Sequence, residues 1–384
     1  AVASRHATPA HGDTSGAREA ARETASANAE PVARTPDSLT SASASWSPAL
    51  SPDGQWLAYV SDRDGRPRVW LHRRSDGHER AVDTGADLVQ QVRWSVDGHW
   101  LSVLAAPGGA PRTQVWLVRP DGAELHRVDS AHGQATFLGP WTHRPGVLGV
   151  AYSADVETGG SAELVDAASG ERARICSGGQ PIVVDLDRET KTALVRRGAR
   201  GERSIWAIDL GSGVQQQLVP SERSGSTELA RLTPDGRTAY VISDAGGEMM
   251  SLFAVTLAAP GAAQTTRVLA ERIDAELENL ALTADGKSAL LVWNFAGRSE
   301  CELMDLATEQ RTPLPLPEPV AHEASFSRDG RWLALTLEGP THPRAVWLYD
   351  CKRARWQQVT TQAADWPGAR VHPTLELVRA RDGL

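Results

Sequence analysis

The chain has 384 residues, 41% of them hydrophobic and 23% charged, and carries a formal charge of −8. That acidity, with no Lys/Arg cluster interleaved with aromatics, argues against a nucleic-acid partner and against an anionic membrane surface. No apolar run reaches the length of a membrane span, and none near the start resembles a signal-peptide core.

Residues 1–44 are rich in Ala, Ser, Thr, Arg and Glu and offer no large apolar stripe to bury. The run Ala17 to Glu23 has helix-forming composition, yet an isolated helix so short is marginal in water, so a flexible or weakly helical tail is expected.

The next stretch sets the pattern for the rest. Ser51-Pro52-Asp53-Gly54 is followed by the strand-like run Trp56-Leu57-Ala58-Tyr59-Val60. The phrase returns as Ser95-Val96-Asp97-Gly98, Thr233-Pro234-Asp235-Gly236, Thr283-Ala284-Asp285-Gly286 and Ser327-Arg328-Asp329-Gly330. Its chemistry is that of a tight turn opening a strand. Ser or Thr bonds the backbone ahead of it, Pro presets φ, Asp tolerates the bridge region, and Gly takes positive φ without a Cβ clash. A catalytic role for these aspartates is the weaker reading, because each sits at a fixed place before Gly.

The five aspartates are spaced by 44, 138, 50 and 44 residues. The long interval is three periods of 46 and leaves room for two worn copies. One is placed at Asp185-Leu186-Asp187-Arg188, the other at Arg144-Pro145-Gly146, where Pro145 replaces the aspartate. Seven units of this length are the period of four-stranded propeller blades. A second ruler agrees. Trp70, Trp116, Leu164, Trp206, Phe253, Leu303 and Trp347 each follow a turn by 17 to 19 residues. Most of the thirteen tryptophans are expected to pack between blades.

Within the first unit, Asp62-Arg63-Asp64-Gly65 and Ser75-Asp76-Gly77 read as hairpin connections. The first repeat opens with its inner strand and the last ends with its outer one near Trp356 to Thr360, so the ring is expected to close by packing, without an exchanged strand. The domain reading is a tail over 1–44, an all-β seven-bladed β-propeller of four-stranded antiparallel blades over 45–361, and a linker with one further strand over 362–384.

Three cysteines, Cys176, Cys301 and Cys351, are odd in number and lack metal-like spacing, and read as reduced thiols of a cytoplasmic protein. The histidines are scattered, and His322-Glu323 lacks the second His of a zinc-protease helix. Met249 and Met250 read as hairpin packing. The worn third unit, with Trp141, His143 and Arg144, is the best place to look for a substrate contact. No residue is assigned as catalytic, cofactor-binding or metal-binding, and no cofactor is expected.

The phrase from Leu50 to Gly65, the count of seven and the closing stretch Glu376 to Leu384 resemble the propeller of a prolyl oligopeptidase family serine peptidase, nearest its acylaminoacyl-peptidase-like branch. The resemblance implies a two-domain enzyme whose ring sits over an α/β-hydrolase domain and admits short peptides to a Ser-His-Asp triad. The partners it implies are that C-terminal hydrolase domain and short peptide substrates, with self-association left open. No Gly-x-Ser-x-Gly occurs in the 384 residues, so the stretch is expected to be inactive alone. No Glu-Glu pair occurs either, which argues against the dipeptidyl-peptidase branch. Propellers of the bacterial Tol system share the turn phrase, so a Tol-like or WD-type interaction scaffold is the alternative. A lactonase-like propeller with an axial metal is a third reading.

Overall fold

The computed structural model describes residues 42–85, 88–128, 135–153, 159–219, 225–257, 264–361, 371, 373, 374, 376 and 381. Of the tail expected over 1–44, residues 1–41 lie outside these residues, as does nearly all of the strand expected at the end of the chain.

The described residues form seven four-stranded antiparallel sheets, each with its strands in chain order. They span 45–82, 89–128, 135–177, 182–219, 227–270, 276–314 and 320–358, and are called blades 1 to 7. Their first strands line the axis: Ser45–Leu50, Val89–Trp94, Ala135–Trp141, Ile182–Leu186, Thr227–Leu232, Glu276–Leu282 and Val320–Phe326. The first sheet holds only the first four strands and the last only the last four, so among the described residues no strand is exchanged between terminal blades.

A blade of this kind has two apolar faces, and each needs a neighbour. The buried side chains accordingly fall into seven clusters, one per junction between successive blades. The closing junction is the leanest. Leu50, Leu57 and Tyr59 of blade 1 meet Ala334, Val346 and Leu348 of blade 7 there, flanked by Trp70, Trp332 and Val359. Leu57 and Tyr59 are wholly buried, and burying a leucine side chain contributes about 2 kcal/mol. The Arg74 guanidinium of blade 1 lies 3.9 Å over the Trp332 ring, adding a cation–π contact across the seam.

The turn phrase folds as its chemistry dictates. The Ser51 hydroxyl donates to Asp53 Oδ1 at 2.6 Å and accepts from Trp56 N at 2.9 Å, while Asp53 Oδ1 also accepts from Gln55 N at 3.0 Å. The same hydroxyl-to-aspartate bond recurs at Ser95, Thr233, Thr283 and Ser327, at 2.5 to 2.7 Å. The repeat aspartates are thus held in the turn rather than offered to a substrate.

The two worn copies fall in a different register from the one the sequence suggests. In blade 4 the place of Ser51 is taken by Asp187, whose Oδ1 accepts from Thr192 N at 2.8 Å and from Lys191 N at 2.7 Å. Glu189 then holds the aspartate's place and Thr190, at φ +54°, the glycine's. Asp185, read as part of this turn, lies two residues upstream in the inner strand. In blade 3 Thr142 opens the turn, its N–H donating to Val147 O at 2.9 Å, so Arg144 stands where the aspartate would and Pro145 one place further on. The positive φ shifts with it, to Gly146 at +70°. A carboxylate substituting for a hydroxyl, and a turn one residue longer before its glycine, account for the misreading.

Successive turns also lean on one another. A Cβ on Gly98 would lie 3.7 Å from Pro52, on Gly236 3.1 Å from Asp187, and on Gly286 2.5 Å from Pro234. Gly286 therefore serves both the positive φ of +71° and a close approach between blades 5 and 6. Gly286→Ala is expected to lose about 2–4 kcal/mol, summing left-handed strain and a forced contact. Gly297→Ala, at φ +82° with open space around it, is expected to lose only about 1–2 kcal/mol. Urea midpoints of the two variants check this, and equal losses would show that the turns do not press on each other.

Candidate functional site: the central channel

The inner strands are the edges of seven sheets, and an edge leaves N–H and C=O groups to be satisfied. All seven carry an irregularity: the pairing with the second strand slips once, at 46–49, 89–91, 138–141, 183–185, 227–229, 277–279 and 321–324. A bulge bends an edge and re-aims its side chains. Neighbouring inner strands splay from the axis, and side chains rather than backbone join them. Ser47 Oγ accepts from Val92 N at 3.1 Å, Asn279 Nδ2 donates to His322 O at 3.2 Å, and Ser325 Oγ accepts from Leu50 N at 3.3 Å across the closing seam.

Two residues before each turn's opening residue stand Ala49, Arg93, Pro140, Asp185, Arg231, Ala281 and Ser325. Three of these seven are charged, and they belong to blades 2, 4 and 5. Arg93 and Arg231 line an axial cavity of about 340 Å³ together with Ser47, Gln91, Asn279 and Glu323. Arg93 Nη1 donates to Gly139 O of blade 3 at 3.0 Å. Arg231 Nη1 donates to Ala230 O at 3.0 Å and to Val184 O of blade 4 at 3.4 Å.

Asp185 is a clamp. Its Oδ1 accepts from Leu186 N at 3.0 Å and its Oδ2 from Leu232 N of blade 5 at 2.8 Å. Burial holds its carboxyl above the ordinary range, opposed by Arg231 and the two backbone donors. Burial likewise lowers Arg93 to about 10, with Arg231 lowering it further and Asp185 resisting. Arg231 is lowered by the same burial and supported by Asp185. The three charges thus feel one another, yet no ion pair within 4.0 Å joins either arginine to a described carboxylate.

The second residues of the turns ring one mouth of the channel, and His143, Arg188 and Arg328 are the charged or titratable members. His143 is exposed at this mouth; partial desolvation lowers its imidazole, with Arg188 and Arg328 adding to the shift and Asp185 and Asp187 opposing it. Arg188 Nη2 donates to Ala284 O at 3.1 Å. Of the three residues singled out in the worn third unit, only His143 comes to the channel. Trp141 Nε1 donates to Ser102 Oγ at 2.9 Å inside the blade 2–3 packing, and Arg144 is exposed beside the turn.

Sequence reasoning passed over Arg93 and Arg231, and weighed Glu323 only beside His322 as a fragment of a zinc-protease motif. The signal for the two arginines was a charged residue at a fixed offset from the turn phrase, in a strand whose neighbours are otherwise apolar. Met249 is partly exposed at its hairpin, while Met250 packs against the blade 5–6 cluster. His322 Nε2 sits 2.6 Å from Glu338 Oε1. Among the described residues no group of three His, Cys, Asp or Glu side chains is gathered as metal ligands. All three cysteines are free. Burial pushes the Cys301 thiol up to about 12 and the Cys351 thiol to about 11, which disfavours the thiolate that a cysteine nucleophile needs.

The architecture is that of a seven-bladed β-propeller with a charged axial channel, consistent with the N-terminal propeller of a prolyl oligopeptidase family peptidase. No family model matches the chain. Dipeptidyl aminopeptidase BIII of Pseudoxanthomonas mexicana is 26% identical to it over 226 residues, 54% of this chain and 31% of that protein. A chain from a structural and mechanistic study of two prolyl endopeptidases superposes with a TM-score of 0.71 at 16% identity, over 96% of this chain and 57% of that one. TolB from Acinetobacter baumannii superposes with a TM-score of 0.52 at 16% identity, over 78% of this chain and 75% of its own. The chain therefore spans about a third of the curated peptidase and little more than half of the prolyl endopeptidase chain.

Asp185 tests the clamp. Asp185→Ala removes the acceptor from Leu186 N and Leu232 N, and a loss of about 2–3 kcal/mol is expected from the charge-assisted bonds lost. Asp185→Asn keeps one carbonyl oxygen and should lose about half as much or less. Thermal or urea unfolding checks both, and an alanine variant as stable as the parent would show that Asp185 clamps nothing.

Proposed function

We propose that this ring is the substrate-gating propeller of a serine peptidase of the prolyl oligopeptidase family, one that hydrolyses short aminoacyl or acylaminoacyl peptides. The observation that carries the reading is the axial cavity itself. At about 340 Å³, walled by the inner strands of blades 1, 2, 5, 6 and 7 inside a ring closed by packing, it has room for a short peptide and none for a folded chain.

In this reading the ring supplies no bond-making group. An α/β-hydrolase domain of the same protein carries the Ser-His-Asp triad, in which serine attacks the peptide carbonyl and water hydrolyses the acyl-enzyme. The ring excludes large substrates and shields the reacting carbonyl from bulk water. A cytoplasmic location goes with reduced cysteines at 176, 301 and 351. The dipeptidyl aminopeptidase similarity supports peptide chemistry, although its name points to a different branch from the acylaminoacyl one suggested by the turn phrase.

A second reading is a Tol-like interaction scaffold, and the 75% coverage of the Acinetobacter TolB chain favours it. The two separate in one experiment. Aminoacyl and acylaminoacyl chromogenic substrates are offered to the 384-residue chain and to the protein as encoded in full. The peptidase reading expects no turnover by the former, and cleavage of short peptides but not of folded proteins by the latter. Turnover by the 384-residue chain, or none by the full protein, contradicts it.

A further inference from the structure

We infer that the central channel is itself a binding site for a short peptide with both termini free, its carboxylate taken by Arg93 and Arg231 and its ammonium by Glu323. Both arginines line the cavity, and each engages a single nitrogen with backbone carbonyls among the described residues. None of their other N–H groups makes a hydrogen bond to a described residue. Asp185, the carboxylate beside them, has both oxygens occupied by backbone donors.

Glu323 lines the same cavity from blade 7. Its Oε2 is shut off from solvent without a hydrogen-bond donor, and no described donor reaches Oε1, the oxygen left for a ligand. An unpaired carboxylate of blade 7 and two under-used guanidiniums of blades 2 and 5 share one lining without forming an ion pair with each other. Charges taken from water without partners are costly. A ligand that bridges them must carry an anionic and a cationic end on a short backbone, which is the chemistry of a peptide zwitterion. Asn279, Gln91 and Ser47, also in the lining, suit the amide between its ends. Arg188 and Arg328 at the turn-side mouth favour entry of the carboxylate end from that side, in a protein whose overall charge is −8.

The inference draws on the peptidase reading only for the idea that peptides are at hand. Binding is measured on the 384-residue chain without any hydrolysis, so its failure would leave the gating reading standing, and the reverse holds too. Titration calorimetry with Ala-Ala, Ala-Ala amide and N-acetyl-Ala-Ala is the experiment. Saturable binding of Ala-Ala is expected, with each blocked form weaker by at least tenfold, the effect of losing one charge-assisted contact.

Glu323→Gln removes no hydrogen bond to the protein and should fold normally. It is expected to bind Ala-Ala and N-acetyl-Ala-Ala alike. Arg231→Gln is expected to bind Ala-Ala and its amide alike, with a melting curve showing that the ring is intact. No saturable binding of Ala-Ala, a blocked peptide binding as tightly as the free one, or Glu323→Gln keeping its discrimination against the acetylated form would each overturn the assignment.

Discussion

Every blade of this protein is a sheet with two apolar faces, and no blade can cover both by itself. That constraint organises the molecule. Seven blades cover one another in sequence, the buried side chains divide into seven junctions, and the seventh must bring the first and last parts of the chain together. With no exchanged strand, that junction rests on Leu57, Tyr59, Val346 and Leu348, on the Arg74–Trp332 contact, and on the Ser325 bond to Leu50.

The same closure creates the channel and its chemistry. Where seven sheet edges meet an axis, backbone groups lack the partners that a continuous sheet would give them. Side chains must supply these, so polar and charged residues are placed where a core would otherwise be. Asp185, Asn279, Ser47 and Ser325 each meet part of this demand with a bond to a backbone group. Arg93, Arg231 and Glu323 have capacity to spare, which sets them apart from mere fasteners. Fastening and channel-lining positions thus share the inner strands, as Ser325 and Glu323 do in blade 7.

Much of this was legible in the sequence, because the turn phrase is a local code. Ser, Asp and Gly act on atoms within five residues of one another, so five copies, the period and the count could be read without tertiary knowledge. The worn copies exposed the limit of such reading. Asp187 performs the serine's task with a carboxylate, and Thr190 accepts a positive φ where glycine is usual, so the pattern of atoms persists while the pattern of letters does not. The channel was less legible. That Arg93 and Arg231 converge depends on which way a bulged edge turns, a property of strand pairing rather than of neighbouring residues. His143 was noticed for the wrong reason, as part of a decayed repeat, and stands at the mouth because it fills the second place of its turn.

Closure by packing alone is the claim on which the channel rests, and hydrogen exchange followed by mass spectrometry tests it most directly. The account predicts that amides of Leu57 to Val60 and of Leu333 to Leu335, on either side of the seam, are protected to the same order as those of Ala193 to Val195 in blade 4, since all belong to wholly buried second strands. Near-unprotected exchange at the seam, with blade 4 still protected, would mean that the ring stands open and that the account is wrong.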